Sequence, residues 1–289
     1  MVSLRPVLGS AFLVAMLMVL GACPTCAAAA RIVSLAPSVT ETLFALGAGP
    51  EVVGVSQYCD YPPQALKLPK VGTFLTPNLE AIIALRPTLI IGLGLSSDQR
   101  ELRALKSMGF QILLAKDQSL DEIEDSIRKI GDATGHGGDA TELIANIDSE
   151  VSTVRDAVAG KPSVRVLMLV GHQPLVAVGR GTFLDDLLHL ARSDNIADVS
   201  DEQWPRLSFE YIIAMRPEVI LDGSMGSDPA APAHFWDRYP SIPAVRDKRV
   251  FGYPDDPILH AGPRVGRSLE MLAGLIHPAA FGVPKVSAR

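Results

Sequence analysis

Cysteine is scarce in this chain: three among 289 residues, and two of them, Cys23 and Cys26, fall inside the first thirty. That excludes a scaffold stapled by disulfides. An excess of positive charge is also absent, with 26 basic side chains against 32 acidic and a net charge of -6. Phosphate contacts need a basic surface, so nucleic acid is excluded as the main partner. Apart from Val7 to Leu20 there is no long apolar run, and that run is shorter than the ~20 residues a membrane-crossing helix requires. Hydrophobic residues make up 48% of the chain and charged residues 20%, which excludes a wholly disordered polymer. The length suggests roughly two domains, because a single core rarely grows beyond about 250 residues.

The first thirty residues read as an address. Arg5 precedes the apolar run, and Cys26 to Ala30 offers small residues for cleavage near Ala27 to Ala30. Leu20-Gly21-Ala22-Cys23 also fits a lipobox, which would make Cys23 a lipid anchor. Simple cleavage is preferred, because so few residues separate Cys23 from the first strand. Removal of residues 1–30 takes away Arg5 alone, leaving 25 basic against 32 acidic side chains, with Cys59 as the remaining cysteine. A lone thiol in an oxidising compartment is expected to be a small buried apolar group.

The rest of the chain reads as strands alternating with helices, the pattern of parallel sheets covered on both faces. Arg31 to Ala36, Val52 to Val55 and Val164 to Val170 are strands; Ser38 or Thr40 is expected to cap a helix running to Leu46. Residues 78–91, NLEAIIALRPTLII, and 208–221, SFEYIIAMRPEVIL, are identical at seven of fourteen positions with a constant offset of 130. Each copy is a helix ended by Arg-Pro, where the ring disfavours helical geometry at the preceding residue, and then a buried strand. This internal repeat implies duplicated lobes. Between the copies come a helix over Leu120 to Thr134, the breaker Gly135-His136-Gly137-Gly138, and a long helix with Leu143, Ile144, Ile147, Val151, Val154 and Val158 on one stripe. The expected layout is an export segment over 1–30, an α/β lobe over 31–137, a connecting helix over 138–161 and a second α/β lobe over 162–289. The lobes would be Rossmann-like, with mainly parallel sheets and a cleft between them.

An export signal, duplicated lobes, one connecting helix and the segment from Ser56 to Glu80, with its Tyr58-x-Asp60-Tyr61-Pro62-Pro63 block, now stand together with Trp204-Pro205. Together they resemble the helix-linked class of periplasmic substrate-binding proteins that feed ABC importers and carry cobalamin, haem or ferric siderophores. Within it the chain looks most like the vitamin B12-binding branch. The resemblance implies a monomer with no cofactor of its own, partnered by a permease and ATPase complex and touching the membrane only through them or a lipid anchor.

It also implies roles for particular residues. Glu80 and Glu210, the identical acids of the repeat, match glutamates that dock onto permease arginines; they also stand where a helix-start acid stabilises the macrodipole. Tyr58 and Phe74 from the first lobe and Trp204 from the second match aromatics that hold a corrin ring at a domain interface. Leu93 and about Val176 stand where the B12 branch has further aromatics. Asp256 lies in a stretch whose acidic residue touches ligand, and His260 falls where the relative has an arginine. His260, with His172 within reach, raises haem as the competing ligand, because imidazole or tyrosinate can ligate iron. His260 as an axial ligand stands against His260 as a local hydrogen-bonding group.

His189 and His277 read as structural, and Trp236 either caps the cleft or packs on its lobe. Gly92-Leu93-Gly94 lacks the third glycine and ribose acid of a dinucleotide site. No nucleophile elbow, phosphate loop or zinc signature is present. An exported metalloenzyme built on Asp256, His260 and His172 is disfavoured because they form no short ligand motif. The sequence reading is therefore a non-enzymatic carrier of a cobalt corrinoid, with haem or a ferric siderophore as the alternative cargo.

Overall fold

The computed structural model describes residues 30–94, 100–199, 201–223, 231–253 and 255–281. The export segment and Cys23 lie outside these described residues. The first lobe runs β1 (Ile32–Ser34), α1 (Pro37–Ala45), β2 (Val52–Val55), α2 (Leu79–Ala84), β3 (Leu89–Leu93), α3 (Arg100–Ser107), β4 (Ile112–Ala115) and α4 (Leu120–Thr134). Its four strands are parallel in the order β2-β1-β3-β4. β1, β2 and β3 are largely buried, β-branched runs, as a sheet covered on both faces demands, whereas the edge strand β4 is only partly buried. Val33, Leu35, Ile82, Ile90 and Leu105 form one core with them.

Gly135 closes α4 in the left-handed conformation at φ +78°, which its missing Cβ permits. The chain then enters α5 (Gly137–Val158), 22 residues long and about 33 Å from end to end. Its buried stripe comprises Ala140, Ile144, Ile147, Val151, Val154 and Val158. The second lobe follows as β5 (Val164–His172), β6 (Leu175–Ala177), α6 (Phe183–Leu190), β7 (Ser193–Asn195), α7 (Phe209–Met215), β8 (Val219–Asp222), α8 (Ala231–Trp236), α9 (Pro243–Arg246) and β9 (Val250–Gly252), then α10 (Asp255–Ile258), α11 (Val265–Ile276) and α12 (Pro278–Phe281). This sheet has the order β6-β5-β8-β9 with β7 beside β5, and only β6 runs antiparallel. Leu167, Leu169, Ile212, Ile220 and Trp236 anchor its core.

The repeat is legible down to single hydrogen bonds. Asn78 caps α2 by accepting from the Ala81 amide, and Ser208 caps α7 by accepting from the Tyr211 amide. After each helix the arginine before proline takes a left-handed backbone, Arg86 at φ +45° and Arg216 at φ +51°. That conformation is uncommon for a side-chain-bearing residue. In both lobes an arginine at the start of the first strand braces this corner. Arg31 donates to the Leu85 carbonyl at 2.7 Å and Arg165 donates to the Arg216 carbonyl at 3.1 Å.

One local expectation fails. Neither Ser38 nor Thr40 caps α1, because Pro37 opens the helix with no side-chain cap, its fixed φ and missing N–H suiting the first turn. Thr40 is instead buried, with its hydroxyl 2.7 Å from that of Ser34. No helix of the described residues is long and apolar enough to cross a membrane.

Candidate functional site

The C-terminal ends of β1, β3, β4 and β5 converge on a cavity of about 770 Å³ between the lobes. Ligands characteristically meet parallel sheets at those ends. The first lobe supplies Tyr58, Phe74, Leu93 and the turn Ala36–Ser38; the second supplies Val176, Phe183, Trp204 and His260.

Each aromatic sits on a braced loop. The loop after β2 is pinned by Cys59, whose buried thiol meets the hydroxyls of Thr40 at 3.1 Å and Ser56 at 3.2 Å. Burial pushes that thiol's pKa up, and Lys70 donates to the Cys59 carbonyl at 2.7 Å. Tyr58 projects from this base, 51% exposed, with its ring centroid 6.1 Å from that of Phe74. Phe74 rides a turn entered through Gly72 at φ +91°, where a Cβ would fall 2.7 Å from the Thr76 carbonyl oxygen. Trp204 is held by its neighbours: Gly179 donates to the Gln203 carbonyl and Ala177 to that of Pro205, both at 2.9 Å. The indole itself is left 46% exposed.

His260 lines the cavity and ends in an ion cluster that the sequence reading missed. Glu41, in the interior of α1 and buried, accepts from His260 Nδ1 at 3.0 Å and from Arg264 Nε and Nη2, each at 2.7 Å. The Arg264 guanidinium also lies 4.0 Å from the Tyr61 ring centroid, a stacked cation–π contact. The triad ties α1 of the first lobe to the segment preceding α11. Glu41 lies more than 200 residues from both His260 and Arg264, so no local pattern announces the triad.

Asp117 was missed as well. It stands just beyond β4, lines the cavity, and has its pKa pushed up to about 6 by burial and, less, by the charge of Glu122. A lone acid in a strand-to-helix turn carries no sequence signature. Phe183, Gln118 and Gln203 complete the wall without having been expected.

Other expectations are placed elsewhere. His172 does not line the cavity; it donates or accepts at 2.6 Å with buried Asp222, and its ring lies 4.1 Å from that of Phe235. Asp222 also accepts from Trp236 Nε1 at 2.9 Å. His172 and Trp236 are thus consumed by packing inside the second lobe. The Asp256 side chain lies outside the described residues. Glu80 and Glu210 are exposed at equivalent positions in the first turns of α2 and α7. The Glu210 carboxyl is held below its usual range by its own amide and the Ser208 hydroxyl.

His277 is structural, donating from Nε2 to the Ala191 carbonyl at 3.0 Å, and burial lowers its pKa. His189, expected on an apolar stripe, is half exposed and lies 3.5 Å from Asp185. Asp185, His189 and Asp198 bring potential metal-ligating atoms within 4.8 Å of one another. Asp198 is already neutralised by Arg180 at 2.6 Å, and Asp185 accepts from Asn195 at 2.8 Å.

The match to the periplasmic binding protein family runs over residues 32–257. The chain belongs to that family. A vitamin B12-binding protein of Pectobacterium carotovorum is 31% identical over 217 residues, covering 74% of this chain and 79% of that protein. The vitamin B12-binding protein BtuF of Vibrio cholerae has a solved structure that superposes with a TM-score of 0.77 at 29% identity, over 86% of this chain and 97% of that one. The periplasmic haem-binding protein RhuT from Roseiflexus sp. RS-1, solved in apo form, also reaches 0.77 at 31% identity, over 87% and 99%. Two-lobed architecture and mainly parallel sheets are thus shared across the family's B12-binding and haem-binding members.

Proposed function

We propose that this chain captures a corrinoid of the vitamin B12 type between its lobes and delivers it to an ABC permease outside the cytoplasm, catalysing no reaction. The observation that carries the reading is the interlobe cavity with Tyr58, Phe74 and Trp204 on its walls. Two of these rings, Tyr58 and Trp204, are about half exposed, an arrangement that costs apolar hydration unless a flat, largely apolar partner covers them. The volume of about 770 Å³ lies within the ~300–1,000 Å³ range of small-molecule sites, and the cavity opens outward to admit a larger ring's periphery. Leu93 contributes apolar wall, and Asp256 is proposed as a ligand-binding residue. Residues 1–30 fit export to the periplasm, with Cys23 as the alternative lipid attachment. Residues 31–137 and 162–289 act as the two lobes on the connector 138–161, and the protein works as a monomer.

Haem is the second reading, favoured by one observation: Tyr58 and His260, both able to ligate iron, line the same cavity. Titration calorimetry of the purified protein with cyanocobalamin, cobinamide and hemin decides between them. Retained red absorbance after desalting with cyanocobalamin is expected. A Soret band with hemin and no corrinoid binding would favour haem, and no binding of the three at micromolar protein would overturn both.

A further inference from the structure

The charge of the cavity wall narrows the ligand class, an inference that rests on the proposed binding of a large ring ligand. Among the described residues that line the cavity there is neither lysine nor arginine. The cations nearby in sequence are committed elsewhere: Lys116 pairs with Glu122 at 3.4 Å, and Arg264 pairs with Glu41. The polar residues of the wall are instead Ser38, Tyr58, Thr182, Gln118 and Gln203, His260, whose Nδ1 already meets Glu41 at 3.0 Å, and one carboxyl, Asp117. Gln203 is oriented by donating to the Gly181 carbonyl at 2.7 Å.

Tetrapyrroles differ at the rim. A corrinoid of the B12 type carries neutral carboxamides, which donate and accept hydrogen bonds; haem carries propionates, which are anionic near neutral pH. A buried anion without a cationic partner loses more in desolvation than neutral hydrogen bonds return, and a facing carboxylate adds repulsion. An amide N–H, by contrast, donates well to a carboxylate.

We propose that Asp117 is a specificity-determining residue that accepts hydrogen bonds from carboxamides at the ligand rim and excludes ligands bearing carboxylates there. Specificity then comes from an unfavourable element set against the wrong ligand as much as from contacts to the right one.

The test compares matched pairs at pH 7.5: cyanocobalamin with the monocarboxylic acids produced by its mild hydrolysis, and hemin with its dimethyl ester. In wild type the acid member of each pair is expected to bind about tenfold or more weakly than its neutral counterpart, a gap of about 1.4 kcal/mol. Asp117→Asn should shrink that ratio at least several-fold, and Asp117→Glu should restore it. Equal binding of the two members in wild type would overturn the inference while leaving the carrier function intact, as would a ratio that Asp117→Asn does not move. Failure of every member to bind would overturn the proposed function itself and this inference with it. The wild-type comparison tests the exclusion of carboxylates without any variant, and the neutral member of each pair, bound by Asp117→Asn as well as by wild type, shows that the ratio is read on folded protein.

Discussion

An ionised carboxyl at position 117 gives up water and faces the charge of Glu122, and its folded pKa rises from 3.8 to about 6. Because the folded state holds this proton more tightly than the unfolded chain does, it carries the extra proton between about pH 4 and 6. Stability contributed by this site is therefore greatest below pH 4 and falls as pH rises through 6. Asp117→Asn removes the titration. It is expected to match wild type below pH 4 and to be more stable above pH 6 by roughly 1–2 kcal/mol, a figure discounted for the water that reaches a half-buried group. Urea melts across pH 4 to 8 check this, and a difference that does not change with pH would refute it. A wild-type residue that costs stability is what a binding site tolerates and a core does not. At this scale the sequence was informative for rings and poor for charges. Tyr58, Phe74, Trp204 and His260 were found through the family resemblance and all line the cavity. Asp117 and Glu41 owe their importance to burial, which depends on distant chain, and His172 was misplaced because Asp222, fifty residues away, claims it.

At the scale of elements, period and punctuation carried the reading. Val52–Val55 and Leu120–Thr134 appear with the expected limits, because a β-branched run and an amphipathic stripe ended by glycine are local signals. The start of α1 was misjudged, since proline at the first turn outcompeted two hydroxyl residues. The consequence of that helix lies in its buried acid. Glu41 holds Arg264 and His260 across the lobes, and breaking such a cluster from one side leaves uncompensated charge in the interior. Glu41→Ala is expected to cost about 3–5 kcal/mol, read as a lowered denaturation midpoint with an unchanged slope. Replacing Glu41 and Arg264 together by apolar residues of similar size should recover much of the loss. A cost below about 1 kcal/mol, typical of exposed pairs, would show that water screens the triad and that it does not brace the lobes.

For the whole molecule, duplication is the organising fact, and it gives the acidic balance a geometry. Glu80 and Glu210 occupy the same place in equivalent helices, two residues past the capping Asn78 and Ser208 and exposed in both lobes. A partner with pseudo-twofold symmetry and basic knobs would find two matched anionic points, which aid orientation and encounter rate more than final affinity. The competing role, favourable contact with the helix N-terminus, is worth about 0.3–1 kcal/mol per site and predicts a different phenotype. If docking is their function, converting both to Ala should leave cyanocobalamin affinity in solution unchanged, because neither lines the cavity, yet abolish uptake of labelled cyanocobalamin by cells carrying the double variant in place of wild type. Each single variant should retain partial uptake, and wild-type uptake should weaken with ionic strength over a Debye length near 8 Å at physiological salt. If the acids serve only their helices, the double variant will melt slightly lower and transport normally. Loss of ligand affinity instead would place these glutamates in the binding machinery and refute the docking role.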